Sequence, residues 1–363
     1  MEDESYERLA GALEALPGGF PRIASGVELR LLKKAFTVEE AELAGHLSRE
    51  YEAVDEIAAR AGMPKEGVRK LLRGLLPRKL VRRCIFDSKA RYRLGPFIVG
   101  WYEALMGGPM RDDIEFVTLF EQYMRDGGGE RIMSPRPGVL GVVPVRGSLK
   151  PGLLQPYDDI DAHFARHERF GVSDCVCRIE RNLLGSECSK PVKRCGFVGL
   201  PPKTPLSEHV LDREQAMELF SRLEEEGHVH TGFYGFISEA DTPQFVGCCN
   251  CCGDCCSILR SRNEFGIAGG PQKSNYRAVL DANICIACGD CISRCQVQAI
   301  EEGENSIPEI SRDRCIGCGL CMVRCPVAAI ELVPVSPEEW FNVPSSFEEW
   351  EERRIQHLRE IQA

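Results

Sequence analysis

Apolar residues recur at helical spacing through the first third of the chain. Tyr6 to Leu16 reads as a short amphipathic helix closed by Pro17-Gly18-Gly19. Thr37 with Glu40 is a capping box that opens a helix running through Leu47. Val54 to Arg60 is a second helix, closed by Gly62. Pro64 starts a third, which ends near Leu76 before Pro77 and turns Val68, Leu71, Leu72 and Leu75 inward. Leu80 to Phe86 and Arg91 to Leu94, joined at Asp87-Ser88-Lys89-Ala90, predict a β-hairpin. Beyond it the pattern predicts a helix over Ile114 to Arg125 ended by Gly127-Gly128-Gly129, a strand over Gly138 to Val145 and a helix over Asp158 to Phe170. Asp212 to Gly227 is a further helix, with Asp212 and Gln215 as a loose capping box and Met217, Leu219, Phe220 and Leu223 inside. The chain closes with a charged helix over Ser346 to Gln362. Its Arg353, Arg354 and Arg359 read as a solvated face. Trp340, Phe341, Phe347 and Trp350 are the apolar content of this tail, expected to cover a neighbouring domain or a second subunit.

From residue 171 onward cysteine takes over as the organising feature. The most regular stretch reads Cys285-Ile-Ala-Cys288-Gly-Asp-Cys291-Ile-Ser-Arg-Cys295, then Cys315-Ile-Gly-Cys318-Gly-Leu-Cys321-Met-Val-Arg-Cys325-Pro326. Each half is C-x2-C-x2-C-x3-C, and the halves repeat at a period of 30 with ten identical positions over 16. This resembles the ligand run of a bacterial-type ferredoxin, which implies two [4Fe–4S] clusters. Three closely spaced thiolates wrap one side of a cubane; the fourth is too near in sequence to fold back and ligates the other cluster. The assignment is Cys285, Cys288, Cys291 and Cys325 for one cluster, and Cys315, Cys318, Cys321 and Cys295 for the other. Zinc sites more usually show two C-x2-C pairs. Gly289, Gly317 and Gly319 let backbone approach the clusters. Ile284, Ile286, Ile300, Ile316, Val323 and Ile330 are expected to form an apolar jacket. Gln296 departs from the repeat, standing where the second half has Pro326.

The unit upstream is also rich in cysteine. Between residues 171 and 272 lie Cys175, Cys177, Cys188, Cys195, Cys248, Cys249, Cys251, Cys252, Cys255 and Cys256. Ten thiols exceed the needs of one four-ligand site. They are candidates for a further iron–sulfur cluster, for structural zinc, or for a redox-active dithiol, with the ligating subset open. His228 and His230 lie on an expected strand, where a solvent-facing alternation competes with a ligand role. His163 and His167 are four apart but lack the glutamate of H-E-x-x-H, and read as surface or core residues. The lone Cys84 reads as a small buried hydrophobe.

Composition narrows the class. The chain has 363 residues, 19 cysteines and a formal net charge of −10. Such cysteine clusters point to metal in a reducing, cytoplasmic compartment. The acidic balance argues against a general nucleic-acid binder. No apolar run approaches the ~18 residues of a membrane span. The acidic start lacks the pattern of a signal peptide. One segment is the exception: residues 61–95 hold eleven Lys or Arg against two Asp or Glu. Lys65, Arg69 and Arg73 share one face of the third helix, a candidate contact for DNA or for an acidic protein partner.

The helices and hairpin of residues 31–106 resemble the winged helix-turn-helix family, which implies a DNA-binding or protein-docking module. The order Cys175-x-Cys177, Cys188, Cys195, helix, Cys249-Asn-Cys251-Cys252-Gly253 resembles a unit of iron–sulfur proteins of anaerobic bacteria, where it precedes a two-cluster ferredoxin domain and often follows a winged helix. That resemblance implies anaerobic redox metabolism and brings no settled substrate. Cys251-Cys252-Gly253 is also similar to the Cys-Cys-Gly motifs of heterodisulfide-reductase-like subunits. The expected fold is a multidomain α+β chain. Its parts are an N-terminal helical segment (1–30), a winged-helix-like domain (31–106), a connecting segment (107–170), a cysteine-rich metal module (171–272), a two-cluster ferredoxin domain (273–335) and a C-terminal helix (336–363).

Neither a G-x-G-x-x-G turn nor a G-x-x-x-x-G-K-[ST] loop occurs, and no catalytic constellation stands out. The expected function is single-electron transfer between redox enzymes of unknown identity, as an oxidoreductase subunit, adaptor or homo-oligomer. A redox- or oxygen-responsive winged-helix regulator is the alternative. A cysteine-rich unit with an open-site cluster that is itself catalytic is a third reading.

Overall fold

The computed structural model describes residues 2–186, 188, 190–192, 195–233, 247–267 and 270–362. The fold mixes helix and sheet. The chain divides into two compact units: Met1–Pro135 with Ile179–Glu187 and Arg359–Ala363, and Arg136–Arg178 with Cys188–Leu358.

The first unit begins with α1 (Glu2–Glu14), whose Tyr6, Leu9, Ala10 and Leu13 are buried. This helix packs on α3 (Val38–Ala44) of its own unit. Between them lies α2 (Val27–Ala35), which the sequence reading did not predict. Gly26 precedes it with no side-chain cap, so the usual start signal is missing. The Thr37–Glu40 capping box forms as expected, although its helix stops at Ala44. α4 (Val54–Ala61) ends at Gly62, φ 64°, and α5 (Lys65–Leu75) buries Val68, Leu72 and Leu75. β1 (Glu52–Ala53), β2 (Val81–Phe86) and β3 (Lys89–Leu94) form one sheet in the order β1-β3-β2. Asp87 and Ser88 make the hairpin turn, both at positive φ. Cys84 is half-buried on β2, opposite Arg91. α6 (Tyr102–Met106) and α7 (Ile114–Tyr123) follow. The three glycines bend this last helix instead of ending it: Gly127 takes φ 118° and helix resumes as α8 (Gly129–Met133). Phe20, Phe97, Trp101 and Tyr123 fill the interior.

The second unit is built on a six-stranded antiparallel sheet. Its strands are β4 (Leu140–Val143), β5 (Arg169–Ser173), β6 (Gly196–Leu200), β7 (Val210–Asp212), β8 (Val229–Phe233) and β9 (Gly247–Cys251), in the order β4-β8-β9-β6-β5-β7. The expected connecting segment therefore supplies β4 and part of β5, and the cysteine-rich unit reaches back past residue 171. The helix expected over Asp158 to Phe170 is only α9 (Ile160–Ala165); Phe170 and Val172 belong to a strand and point into the core. α10 (Val176–Leu183) follows β5. α11 (Arg213–Glu225) keeps its Asp212–Gln215 capping box and lays Leu219, Phe220 and Leu223 on the sheet. α12 (Ser257–Asn263) follows β9.

The remaining elements are β10 (Tyr276–Leu280), α13 (Asp290–Arg294), β11 (Ile300–Glu302), β12 (Pro308–Ile310), β13 (Ile330–Pro334) and α14 (Phe347–Gln362). β10 pairs with β13 and β11 with β12. The tail does cover its neighbours. Trp340 meets Tyr276 edge-on, and Trp350 is buried, its Nε1 donating to Gly138 O at 3.0 Å. The expected solvated face of α14 is corrected at Arg354, which is 1% exposed and donates to Pro137 O at 2.6 Å.

Asp158 is buried beside the Tyr276 hydroxyl, and loss of water pushes its carboxyl up to about 6. The folded chain thus binds this proton more tightly than the unfolded chain. Stability falls as pH rises from about 4 to about 6, and the loss is complete above that. Asp158→Asn is expected to raise stability at pH 8 by on the order of 2–3 kcal/mol and by about half as much at pH 5. Equal gains at both pH values, read by calorimetry, would contradict this.

Candidate metal centres

Strand alternation sorts the middle cysteines. On β9, Cys248 and Asn250 point to one face and Cys249 and Cys251 to the other. Cys248 faces α11 and joins the apolar core with Phe197 and Phe220. It is a candidate ligand that the structure places away from the other thiols. Burial pushes its thiol well above the ordinary range.

The other face gathers six thiols in contact as a ring. Cys175 neighbours Cys177 and Cys195, Cys195 neighbours Cys249, Cys177 neighbours Cys256, Cys256 neighbours Cys251, and Cys251 lies near Cys249. The elements that deliver them are the start of α10, the start of β6, β9 and the N-terminus of α12. A second, smaller group holds Cys188, Cys252 and Cys255, whose sulfurs all lie within 4.8 Å of one another. Cys188 and Cys252 are 3.7 Å apart, and the Lys190 N–H donates to Cys188 Sγ at 3.4 Å.

Arg178 stands between the two groups with no exposed surface. Its Nη1 donates to Pro191 O at 2.9 Å and its Nη2 to His228 Nδ1 at 2.9 Å. Burial works against its charge, but the sulfurs of Cys175, Cys195 and Cys252 outweigh this and hold it above its ordinary range. Burial, and then Arg178, push His228 down to about 3. The ring is therefore neutral, with Nδ1 accepting from Arg178 and Nε2 donating to Glu226 at 3.2 Å. His230 stacks on Phe220 at 3.9 Å, and its Nδ1 lies 2.7 Å from Asn250 Oδ1. Asn250 in turn donates to Cys195 O at 2.6 Å. The expected solvent-facing alternation of these histidines is corrected: both have no exposed surface, because β8 is an inner strand with both faces covered. His163 is also buried, with Nε2 3.1 Å from Tyr157 O, and His167 lies against Gly199.

The C-terminal repeat is visible in the backbone. Ala287 and Gly317, Gly289 and Gly319, and Gln298 and Ala328 are pairs 30 residues apart, each at positive φ. Gly317 must be glycine, since a Cβ there would sit 2.1 Å from Tyr276 O. Ala299 N–H donates to Cys295 Sγ at 3.1 Å, and Ala329 N–H to Cys325 Sγ at 3.2 Å. Cys285, Cys288, Cys291 and Cys325 line one pocket with Ile286, Val327 and Ile330. Cys295 lies near Cys315, Cys318 and Cys321, and burial pushes Cys318 up to about 12. Both sets offer four thiols in the combination a cubane requires. The expected apolar jacket is half formed: Ile300, Ile316 and Ile330 are buried, whereas Ile284, Ile286 and Val323 are 47%, 58% and 38% exposed.

Gln296 has a role the sequence did not reveal. Its Oε1 accepts from the Gly253 N–H at 2.8 Å, and a Cβ on Gly253 would sit 2.2 Å from Gln296 O. Asn263 Nδ2 donates to the same carbonyl at 2.9 Å. Arg294 donates to Glu224 O and Glu225 O at the end of α11, at 2.8 and 2.9 Å. On α5, the side chains of Lys65, Arg69 and Arg73 are 58%, 52% and 68% exposed. Each lies beside an acid: Lys65 with Asp55 at 3.0 Å, Arg69 and Arg73 with Glu66 at 3.4 and 3.5 Å.

The family model of the 4Fe-4S dicluster domain matches residues 278–332. That stretch carries all eight cysteines of the repeat. The chain therefore contains a C-terminal 4Fe-4S ferredoxin-type domain, and it is an iron–sulfur, metal-binding protein. A search among curated proteins finds no match. Among the described residues no helix is long and apolar enough to cross a membrane.

Cys248→Ala is expected to leave iron and zinc per chain unchanged and to lower stability by about 1 kcal/mol. Cys251→Ala is expected to lower the metal content. Metal analysis of the two variants side by side checks the division; metal loss in Cys248→Ala would refute it.

Proposed function

We propose that this chain is a cytoplasmic electron-transfer protein that relays single electrons between redox partner proteins. The observation that carries this reading is the doubled set of four thiols in the C-terminal domain, each set with a matching N–H···S bond at its last cysteine. Two [4Fe–4S] clusters held there, on Cys285, Cys288, Cys291 and Cys325 and on Cys315, Cys318, Cys321 and Cys295, would supply one-electron chemistry.

The chain's own residues give the relay two ends. Cys288 is exposed, and Ile284, Ile286 and Val327 around it are 47%, 58% and 36% exposed. This edge would receive a redox partner, whose approach brings it close to the first set of thiols. The other set ends at Cys295, next to Gln296, whose amide bonds the Gly253 that follows Cys252. The six-thiol ring would hold a further iron–sulfur centre, with Arg178 offsetting its negative charge. The first unit would then be a winged-helix docking module within a complex or homo-oligomer.

A redox-responsive DNA-binding regulator is the second reading, resting on the exposed Lys65, Arg69 and Arg73 of α5. The acids beside all three cations weigh against it.

Anaerobically purified protein is expected to carry about eight iron and eight sulfide in the C-terminal domain, and more if the ring is filled. Electron paramagnetic resonance during a redox titration should show two interacting reducible clusters. Fewer than about four iron per chain, or no reducible signal, would overturn the relay. Salt-sensitive, sequence-specific DNA binding lost on changing Lys65, Arg69 and Arg73 would favour the regulator.

A further inference from the structure

Tyr276 opens β10 inside the apolar core of the ferredoxin-type domain. That core also holds Cys291 and Cys321, one thiol from each set of four. Tyr276 is tied to the loop of the second set. Its N–H donates to Ser274 Oγ at 3.3 Å, and Ser274 Oγ donates to Gly317 O, next to Cys318, at 2.9 Å. The Tyr276 hydroxyl reaches the segment before α9, where it donates to Leu153 O and lies beside the Asp158 carboxyl. That segment is fastened to the same loop, since the Val145 N–H donates to Cys318 O at 3.0 Å. Leu149 and Leu153 pack on the same core.

A phenol has one proton to give, and a backbone carbonyl can only accept. With the Tyr276 proton on Leu153 O, Asp158 bonds the phenolic oxygen only as the neutral acid, through its own O–H. The ionised carboxylate demands the reverse: the Tyr276 O–H turns to Asp158 and leaves Leu153 O. The site therefore has two hydrogen-bond arrangements that differ by one proton. Burial brings the exchange to about pH 6, and Asp158 keeps 8% of its surface exposed, a narrow route for the proton. Tyr276 is the titratable group that faces it from β10. The charged groups on the surrounding elements have other partners. Asp159 accepts from the Ala162 N–H at 2.8 Å, Asp161 lies 3.7 Å from Arg146, and Lys150 pairs with Glu331 of β13. His163 Nε2 lies 3.1 Å from Tyr157 O, and Trp340 of the tail adds no charge.

Reducing a cubane adds one negative charge to the core. Two unit charges roughly 10 Å apart in a protein interior shift each other's equilibria by on the order of tenfold. A neutral acid tolerates the added electron, and a carboxylate opposes it. We propose that Asp158 and Tyr276 form a proton-uptake site coupled to electron entry into the ferredoxin-type domain. As one electron arrives from the donor protein, one proton from solvent joins the Asp158 carboxylate and forms its O–H bond. The Tyr276 O–H returns to Leu153 O. Loss of the electron releases the same proton, so charge balances in both directions. The inference rests on the electron-transfer reading above and adds proton coupling to it.

A redox titration of the full chain, purified anaerobically and followed by electron paramagnetic resonance, tests it when repeated at several pH values. At low pH the midpoint potential of at least one cluster should be constant. Above about pH 6 it should fall and then level off. The reduction equilibrium should weaken by on the order of tenfold in all, which is about 59 mV. In Asp158→Asn the potential should hold near its low-pH value throughout. Within the same window, infrared difference spectra should show a protonated-carboxyl band gained on reduction in the wild type and missing in Asp158→Asn. A wild-type potential independent of pH, or the same fall in Asp158→Asn, would overturn the coupling while leaving the relay intact. A chain with no reducible cluster would overturn the relay and the coupling together. The wild-type titration needs no variant.

Discussion

Burying a guanidinium is costly unless hydrogen bonds and counter-charge offset the lost water. Arg178 meets this condition with sulfur. Its other partners are the backbone carbonyls of Pro191 and Asn250 and a neutral imidazole, so the thiols of Cys175, Cys195 and Cys252 supply the negative charge it faces. A thiol carries that charge when it is a metal ligand. The surrounding elements follow from this demand. β8 and β9 are inner strands, His228 is held neutral, and Asn250 fixes the backbone that presents Cys195. The middle module is thus organised around a cation as much as around its cysteines.

What the sequence made legible was local. The 4Fe-4S domain could be read from spacing alone, because a cubane leaves little freedom to a C-x2-C-x2-C run. The capping boxes at Thr37 and Asp212 were equally plain, since each places its two partners three residues apart. What remained hidden depended on distant contacts. β4 finds its partner β8 some ninety residues later, so residues 107–170 read as a connection. His228 and His230 looked like alternating surface positions because nothing local says that both faces of β8 are covered. Nothing local to Arg178 or Arg354 signals that their side chains are buried. Cys248 could have been set apart from sequence: in a strand, adjacent cysteines face opposite ways.

The C-terminal domain shows how far a duplication can drift while keeping its frame. Its backbone repeats at Ala287/Gly317, Gly289/Gly319 and Gln298/Ala328, and its N–H···S bonds repeat at Cys295 and Cys325. The surroundings do not. One set of thiols opens toward exposed isoleucines; the other is packed against the cysteine-rich module through Arg294, Gln296 and Arg314. Gly317 answers to Tyr276, whose carbonyl leaves no room for a Cβ.

The single glutamine at 296 carries that asymmetry furthest. A proline in its place would match the other half of the repeat, yet it would leave the Gly253 N–H without its acceptor. The ferredoxin domain is consequently no longer a portable cassette. Moved to another host, it would keep its iron-binding frame but carry an amide, an arginine and a close-packed turn shaped for a surface that only this chain provides.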